Sequence, residues 1–233
     1  MEQMSILVVD DDKEIADLVE IHLVSDGHKV YKANSAKEGL AILEEKDIKL
    51  VILDIMMPGI DGLNMCKKIR ENSTIPIIML SAKSSDLDKI VGLSTGADDY
   101  VIKPFNPLEL TARVKSQLRR YTTFNPNSRE LPQDKEIHLE HLSINKENHK
   151  VIAYEKEVKL TPIEFDILYL LATNAGRVFS TDEIFERVWN EKMYEANNTV
   201  MVHIRRLREK IEVDSRNAQI IKTVWGVGYK IEK

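Results

Sequence analysis

The sequence predicts an α/β domain over residues 1–120, followed by a smaller α+β domain. Continuous apolar runs such as Ile77–Leu80 are typical of strands covered on both faces, as in a parallel sheet under helices. Short runs of this kind alternate with amphipathic helical segments through the first half of the chain. We therefore expect a (βα)5 arrangement, with strands near residues 5–9, 29–33, 49–54, 76–80 and 100–102.

The second half of the chain has a different pattern. Residues 121–135 are polar and contain two prolines, which predicts a linker between a domain at 1–120 and one at 136–233. Short strands are expected over about 136–160, and Thr161-Pro162-Ile163-Glu164 is typical of a helix start. The remaining elements are helices and a final hairpin that turns at glycines, at about 162–174, 181–189, 197–212 and 220–231.

Composition limits the function classes. The chain has 233 residues, of which 43% are apolar, enough for a core in each domain. The sequence has no apolar run near membrane length and no signal-like start, so we expect a cytoplasmic protein. Cys66 is the single cysteine, and structural zinc is not expected. The net charge is −5, yet residues 199–233 hold eight basic and four acidic residues, a local footprint suited to nucleic acid.

Polar residues follow the predicted strands of the first domain at one edge of the sheet. Asp54 ends the apolar run of strand 3, and strand 1 leads into Asp10-Asp11-Asp12. Carboxyl ends of parallel strands are where open α/β sheets place their chemistry. Carboxylates crowded there need a cation, and Mg²⁺ suits hard oxygen ligands with room for water.

Two more side chains should reach the same edge. Ser81 ends strand 4, and Lys103 follows strand 5. Phosphoryl transfer requires charge neutralisation and an in-line approach, which a cation, an ammonium and a hydroxyl can provide. Asp54 is then a candidate phosphoryl acceptor. Taken singly, each of these residues is better explained as a cap, a turn residue or a solvated charge.

In combination, four motifs resemble the flavodoxin-like receiver domain of two-component response regulators. They are Val9-Asp10-Asp11-Asp12, Leu53 to Gly59, Leu80-Ser81-Ala82 and Lys103-Pro104-Phe105. The resemblance implies that a sensor histidine kinase phosphorylates Asp54. It implies Mg²⁺ bound by Asp11, Asp54 and the Met56 carbonyl, with Asp10 acting through water. It also implies a cis Lys103–Pro104 bond and switching by Ser81 and Tyr100, although Tyr100 alone reads as a half-buried strand aromatic.

Opposite charges occur on the last strand and last helix of this domain. Asp98 and Asp99 face a set of basic residues, and Lys89 with Glu109 is another potential pair; the basic residues are Arg113, Lys115 and Arg120. Most such charges are simply solvated. Resemblance to the OmpR/PhoB class implies a phosphorylation-dependent homodimer through the face formed by the fourth helix, fifth strand and fifth helix.

The helix predicted near 197–212 carries the candidate DNA contacts. Its apolar face is formed by Val200, Ile204, Leu207 and Ile211. The other faces are expected to enter a major groove, although an ordinary solvated basic face would have the same pattern; they carry Thr199, Val202, His203, Arg205, Arg206, Arg208 and Lys210.

This half of the chain resembles the winged helix-turn-helix domain of the OmpR/PhoB class. Trp225 stands where many members have a minor-groove arginine, so it is expected on the sugar-phosphate backbone or within the hairpin. Thr199 and the loop at 191–197 are candidate contacts to phosphate or RNA polymerase. The partner implied is double-stranded promoter DNA.

Within the class, four segments make the sequence most similar to VanR-type regulators of glycopeptide-resistance operons: Asp54 to Gly59, Ser81-Ala82-Lys83, Asp88-Lys89-Ile90 and Pro107 to Lys115. This implies a phosphorylation-dependent transcriptional regulator of a vancomycin-resistance-type operon. The same architecture serving another cell-envelope or stress regulon is the alternative. A Mg²⁺-dependent phosphohydrolase is disfavoured because Met56 stands where such enzymes usually carry a second aspartate.

Overall fold

The computed structural model describes residues 3–82, 86–123, 136–189 and 198–232, without the side chains of residues 86, 87, 89 and 123. The chain divides into two compact units, Met1–Tyr121 and Thr122–Lys233. Most of the predicted linker, residues 124–135, lies outside the described part. No helix in the described ranges is long and apolar enough to cross a membrane.

The first unit alternates five strands with five helices, as predicted. Its sheet is parallel with the order β2-β1-β3-β4-β5, the flavodoxin-like order. Successive strands are added to one side of β1 and then to the other, so the topological switch point lies between β1 and β3. The elements are β1 (Ser5–Val9), α1 (Lys13–Ser25), β2 (Lys29–Ala33), α2 (Ala36–Glu45), β3 (Leu50–Asp54), α3 (Gly62–Asn72), β4 (Ile77–Ser81), α4 (Asp86–Thr95), β5 (Asp99–Ile102) and α5 (Pro107–Thr123).

Burial explains why the central strands are apolar throughout. Every residue of β3 and β4 is buried, since both faces of the sheet carry helices. On one face Ile52 and Leu80 pack in a cluster with Val19 of α1 and Val114 of α5. Asp12 caps α1 by accepting hydrogen bonds from two backbone amides of its first turn. Polar side chains are therefore left to the strand ends.

The second unit combines an antiparallel sheet, three helices and a hairpin. The sheet order is β6-β7-β8-β9, and β10 pairs with β11. The elements are β6 (Glu136–Leu139), β7 (Leu142–Asn145), β8 (Lys150–Ala153), β9 (Lys156–Val158), α6 (Pro162–Thr173), α7 (Thr181–Trp189), α8 (Thr199–Ile211), β10 (Ile221–Val224) and β11 (Gly228–Ile231).

Two glycines allow the hairpin to turn and to pack closely against the segment before α7. Gly226, at φ +71°, supplies the positive φ of the turn. Gly228 approaches the chain before α7 so closely that a Cβ would lie 1.9 Å from the Phe179 carbonyl oxygen. Tyr229 and Phe179 exchange backbone hydrogen bonds there, each 2.9 Å long. The hairpin is thus held as a projecting wing.

Candidate functional site

Three carboxylates converge at the carboxyl edge of the parallel sheet. Oxygens of Asp10, Asp11 and Asp54 all lie within 4.8 Å of one another. Because Val9 and Leu53 are paired in adjacent strands, the residues that follow them emerge side by side. Asp10 and Asp54 are buried, whereas Asp11 is exposed. The cluster can therefore be reached from solvent on one side.

Lys103 joins this cluster from the end of β5. Its Nζ lies 2.7 Å from Asp10 Oδ2 and 2.7 Å from Asp54 Oδ1. The other oxygen of Asp54 accepts the Met56 backbone amide at 2.8 Å. The Lys103–Pro104 peptide is cis, as the resemblance implied. One ammonium faces three carboxylates, so the donor set fits an added cation of the hard, oxygen-preferring kind.

Ionisation at this edge follows from burial and pairing. Burial raises the pKa of Asp10, and this outweighs the opposing hydrogen bond from Lys103. Burial alone would lower the pKa of Lys103, but its hydrogen bonds to Asp10 and Asp54 reverse the effect and raise it. Lys103 is therefore held as a cation beside Asp54.

Ser81 and Tyr100 meet next to the carboxylates. Ser81 is fully buried at the end of β4, and its side chain is hydrogen-bonded to the Tyr100 hydroxyl. Burial raises the pKa of Tyr100, which keeps the phenol protonated as a hydrogen-bond donor or acceptor. The two predicted switch residues are thus in direct contact.

Asp98 is a correction to the predicted dimer face. It is fully buried, pairs with Arg70 Nη2 at 2.6 Å and accepts the Ile77 amide at 2.9 Å. Arg70 also donates to the backbone carbonyls of Gly96 and Ile75, so this pair ties α3 to the start of β4. Arg70 was not among the residues predicted from the sequence, although a buried aspartate before a strand needs such a partner.

The other dimer-face residues make contacts within one chain. Arg113 pairs with Asp99 at 3.0 Å and with Glu109 at 2.9 Å. Lys115 is not directed toward those residues but pairs with Asp26, the C-cap of α1, at 2.9 Å. Arg120 is buried, with 7% of its surface exposed. The side chain of Lys89 lies outside the described residues.

The face assignment of α8 also needs correction. Thr199, Val202, His203 and Arg206 are buried, although they were predicted to face outward. The reason is that α8 packs against both α6 and α7, so its buried face is wider than a single apolar stripe. His203, for example, lies against Trp189 of α7, with ring centroids 5.5 Å apart.

Arg206 and Lys210 share a buried carboxylate. Glu164 is fully buried at the start of α6, and Arg206 Nη2 lies 2.9 Å from its Oε1. Lys210 Nζ lies 2.6 Å from Oε2, which also accepts the Thr161 amide at 2.9 Å. Burial would raise the pKa of Glu164, but the two nearby cations and these hydrogen bonds lower it. This carboxylate therefore fixes α8 against α6.

The outward face of α8 is narrower than predicted. Met201 and Arg205 are exposed, and Arg205 pairs with Glu209 at 3.0 Å. Arg208 is half-buried and donates to the Thr223 hydroxyl at 2.8 Å and the Ile221 carbonyl at 2.7 Å. It thereby joins α8 to the wing. Trp225 at the wing tip is 90% exposed, so it does not pack within the hairpin.

Comparisons with known proteins agree with both halves of this architecture. Residues 6–115 match the response regulator receiver domain, and residues 155–231 match the family described as transcriptional regulatory protein, C terminal. The chain belongs to the OmpR/PhoB-type response regulators, which join these two domains.

Individual relatives cover nearly the whole chain. Regulatory protein VanR of Enterococcus faecium is 50% identical, and VanRc of Enterococcus gallinarum is 51% identical, each over 98% of both chains. The crystal structure of DrrB, an OmpR/PhoB homolog from Thermotoga maritima, is 33% identical, with a TM-score of 0.52 over 100% of both chains.

Proposed function

We propose that the chain is a phosphorylation-switched transcriptional regulator whose phosphoryl acceptor is Asp54. The observation that carries this proposal is the convergence of Asp10, Asp11 and Lys103 on Asp54 beside Ser81. A buried carboxylate with one open side, a fixed cation and a neighbouring hydroxyl has the parts that phosphoryl transfer needs. The donor is a sensor histidine kinase.

In the transfer step, an Asp54 carboxylate oxygen attacks phosphorus as the bond to the phosphohistidine nitrogen breaks. The leaving nitrogen keeps the bonding electrons, so no oxidant or further reactant is required. Mg²⁺, held by Asp11, Asp54 and the Met56 carbonyl with Asp10 acting through water, would neutralise charge on the phosphoryl oxygens. The Lys103 ammonium neutralises further negative charge on the phosphoryl group. Asp54 lacks a neighbouring acid/base because residue 56 is methionine, which favours a switch over a turnover enzyme.

Phosphorylation is read out at Ser81 and Tyr100. The phosphoryl group offers new acceptor oxygens to the Ser81 hydroxyl, which in this structure is bonded to Tyr100. Movement of this pair shifts α4 and β5, and a homodimer forms through the α4-β5-α5 face. Asp99, Glu109 and Arg113, which pair within the chain here, exchange partners with Lys89 and their counterparts on the second chain.

In the second unit, α8 and the wing bind double-stranded promoter DNA. The exposed Arg205, with Arg208 and Lys210 at its sides, approaches the major groove, while Trp225 contacts the sugar-phosphate backbone. Thr199, Val202, His203 and Arg206 support this helix from its buried side. RNA polymerase is the further partner through the loop at 191–197, which lies outside the described residues.

The regulated genes form a vancomycin-resistance-type operon, in a protein that acts in the cytoplasm. Support for this pathway comes from 50% identity to the protein named VanR over 98% of the chain. Control of another cell-envelope or stress regulon by the same architecture is the second candidate, since the residues that bind phosphate and DNA do not name the promoter.

The experiment is intact-protein mass after incubation with Mg²⁺ and acetyl phosphate. The wild type should gain one phosphoryl group, and Asp54→Ala should gain none. Glu109→Ala is the matched control, because it removes an exposed carboxylate that pairs with Arg113 and not with Lys103, and it should be labelled normally. Labelling of Asp54→Ala at the wild-type level would show that the acceptor lies elsewhere.

A further inference from the structure

Gly92 of α4 lies directly against the switch tyrosine. A Cβ at this position would lie 3.1 Å from both Cδ2 and Cε2 of Tyr100. It would also lie 3.1 Å from the Met79 sulfur, on the neighbouring strand β4. A side chain at position 92 would therefore require the edge of the Tyr100 ring and the Met79 sulfur to give way by a few tenths of an ångström.

The backbone gives no other reason for glycine here. Gly92 lies inside α4 and does not have a positive φ. Glycine in a helix interior is less stable than alanine by about 0.5–1 kcal/mol, so this position is unfavourable for α4 considered alone. The close approach of the aromatic ring accounts for the missing side chain.

The contact also lies on the route from the pocket to α4. Asp54 and Ser81 end the adjacent strands β3 and β4, and the Ser81 side chain is hydrogen-bonded to Tyr100. The same ring then touches Gly92. A single side chain thus bridges the hydroxyl next to the phosphoryl acceptor and the backbone of the helix.

We propose that Gly92 is a positioning residue of the switch, which keeps open the slot that receives the Tyr100 ring. With the slot open, the Tyr100 hydroxyl stays hydrogen-bonded to Ser81, and the ring transmits the movement of Ser81 to α4. With a methyl group in the slot, the ring turns outward or α4 moves away, and phosphorylation of Asp54 is transmitted to the helix less effectively. This inference rests on the proposed function and adds to it the requirement that residue 92 have no side chain.

The test uses Gly92→Ala in the full chain. The pocket is unchanged, so one phosphoryl group should still be added with Mg²⁺ and acetyl phosphate. The phosphorylation-dependent gain in promoter affinity should fall about tenfold, because overpacking opposes the inward ring. Gly39→Ala is the control for crowding as such, since its Cβ would meet the Met65 methyl at 2.8 Å and Val9 Cγ2 at 3.0 Å but not Tyr100. Its phosphoryl uptake is measured alongside, because Val9 precedes Asp10, and its coupling per phosphorylated protein should match the wild type.

Two further readouts separate positioning from simple stability. In fluorotyrosine-labelled protein, the Tyr100 resonance is assigned as the ¹⁹F signal that is lost in Tyr100→Phe. In Gly92→Ala, the chemical shift of this resonance should move toward that of a solvent-exposed fluorotyrosine. In a Tyr100→Ala background, Gly92→Ala should cause no further loss of coupling, because its methyl group meets no ring. An unmoved Tyr100 signal with wild-type coupling overturns the proposal.

Failure of the proposed function would look different. If the unsubstituted protein takes up phosphate without gaining promoter affinity, the regulatory output is wrong, and the ¹⁹F comparison still tests the slot. If the wild type couples normally and Gly92→Ala couples equally well, only the role of Gly92 is wrong.

Discussion

Each unit of the chain contains a buried cluster of charged side chains, and the two differ in balance and in access. In the first unit, Lys103 faces three carboxylates, of which Asp11 is exposed. In the second, Glu164 has no exposed surface and is matched by Arg206 and Lys210. An excess of negative charge open to solvent can take up a cation, whereas a closed, fully paired carboxylate can only hold helices together.

The contrast explains why similar residue types have different roles. A buried ion pair costs desolvation free energy, so removing one partner leaves an uncompensated charge. An exposed carboxylate in a like-charged cluster has no such constraint. Substitution of Glu164 in the second cluster should therefore change stability, and substitution of the exposed Asp11 in the first should change chemistry.

The largest effect is expected for Glu164→Ala. Loss of this carboxylate leaves Arg206 and Lys210 without their shared counter-ion, and the second unit should be destabilised by about 3–5 kcal/mol. Urea unfolding followed by tryptophan fluorescence measures this, because both tryptophans, Trp189 and Trp225, belong to that unit. Glu209→Ala, which breaks only the exposed pair with Arg205, should cost about 0–1 kcal/mol. Equal losses in the two variants would remove the distinction between the clusters.

The reciprocal substitution, Asp11→Ala, should leave stability nearly unchanged and impair chemistry. The residue is exposed, so the unfolding free energy should shift by no more than about 0.5 kcal/mol. Phosphoryl uptake at a fixed Mg²⁺ concentration should fall on the order of 100-fold, since a proposed metal ligand is lost. Initial rates of mass gain at several Mg²⁺ concentrations measure this. A wild-type Mg²⁺ dependence would exclude Asp11 as a ligand.

On the DNA-binding surface, the contributions of the charged Arg205 and the uncharged Trp225 should differ in how DNA affinity depends on salt concentration. Arg205→Ala should reduce the slope of log affinity against log salt by about 1, because one phosphate contact is lost. Trp225→Ala should weaken binding by a factor on the order of ten without changing that slope, since its side chain is 90% exposed and uncharged. Fluorescence anisotropy of labelled DNA across a salt series measures both. A changed slope for Trp225→Ala would mean that the wing acts by altering phosphate contacts.

The smallest effect is the pH dependence of the closed cluster. Nearby cations hold the pKa of Glu164 below its ordinary value of 4.5. Its contribution is therefore present above the unfolded pKa and is lost as pH falls through the lower folded pKa. Urea midpoints of the tryptophan signal should fall with acidification below about pH 4.5, more steeply in the wild type than in Glu164→Gln. Parallel curves for the two proteins would mean that Glu164 does not titrate in this way.

Much of the receiver unit could be predicted because the succession of strands along the chain and their ends are marked by short local stretches of sequence. Continuous apolar runs identified β3 and β4, and polar residues at or just after strand ends pointed to Asp54, Ser81 and Lys103. The parallel sheet brings these positions together regardless of detail elsewhere. Asp98 was misassigned because nothing local distinguishes a charged residue on a surface from one paired with a distant arginine on another helix.

The faces of α8 were harder to predict for a related reason. An apolar stripe identifies one packing partner, but this helix contacts both α6 and α7. Polar residues at the edge of the stripe, such as His203 and Arg206, were therefore read as exposed. The signal that could have located Arg206 was Glu164, an acidic residue in the first turn of the largely apolar helix α6. A carboxylate buried there needs a cation beside it.

The most direct test of the central claim is promoter affinity before and after phosphorylation of Asp54. Full-length protein, with and without Mg²⁺ and acetyl phosphate, would be titrated against a promoter fragment of a VanR-type resistance operon. We predict tighter binding after phosphorylation in the wild type and an unchanged affinity for Asp54→Ala. Equal affinities for the phosphorylated and unphosphorylated wild type would contradict the account.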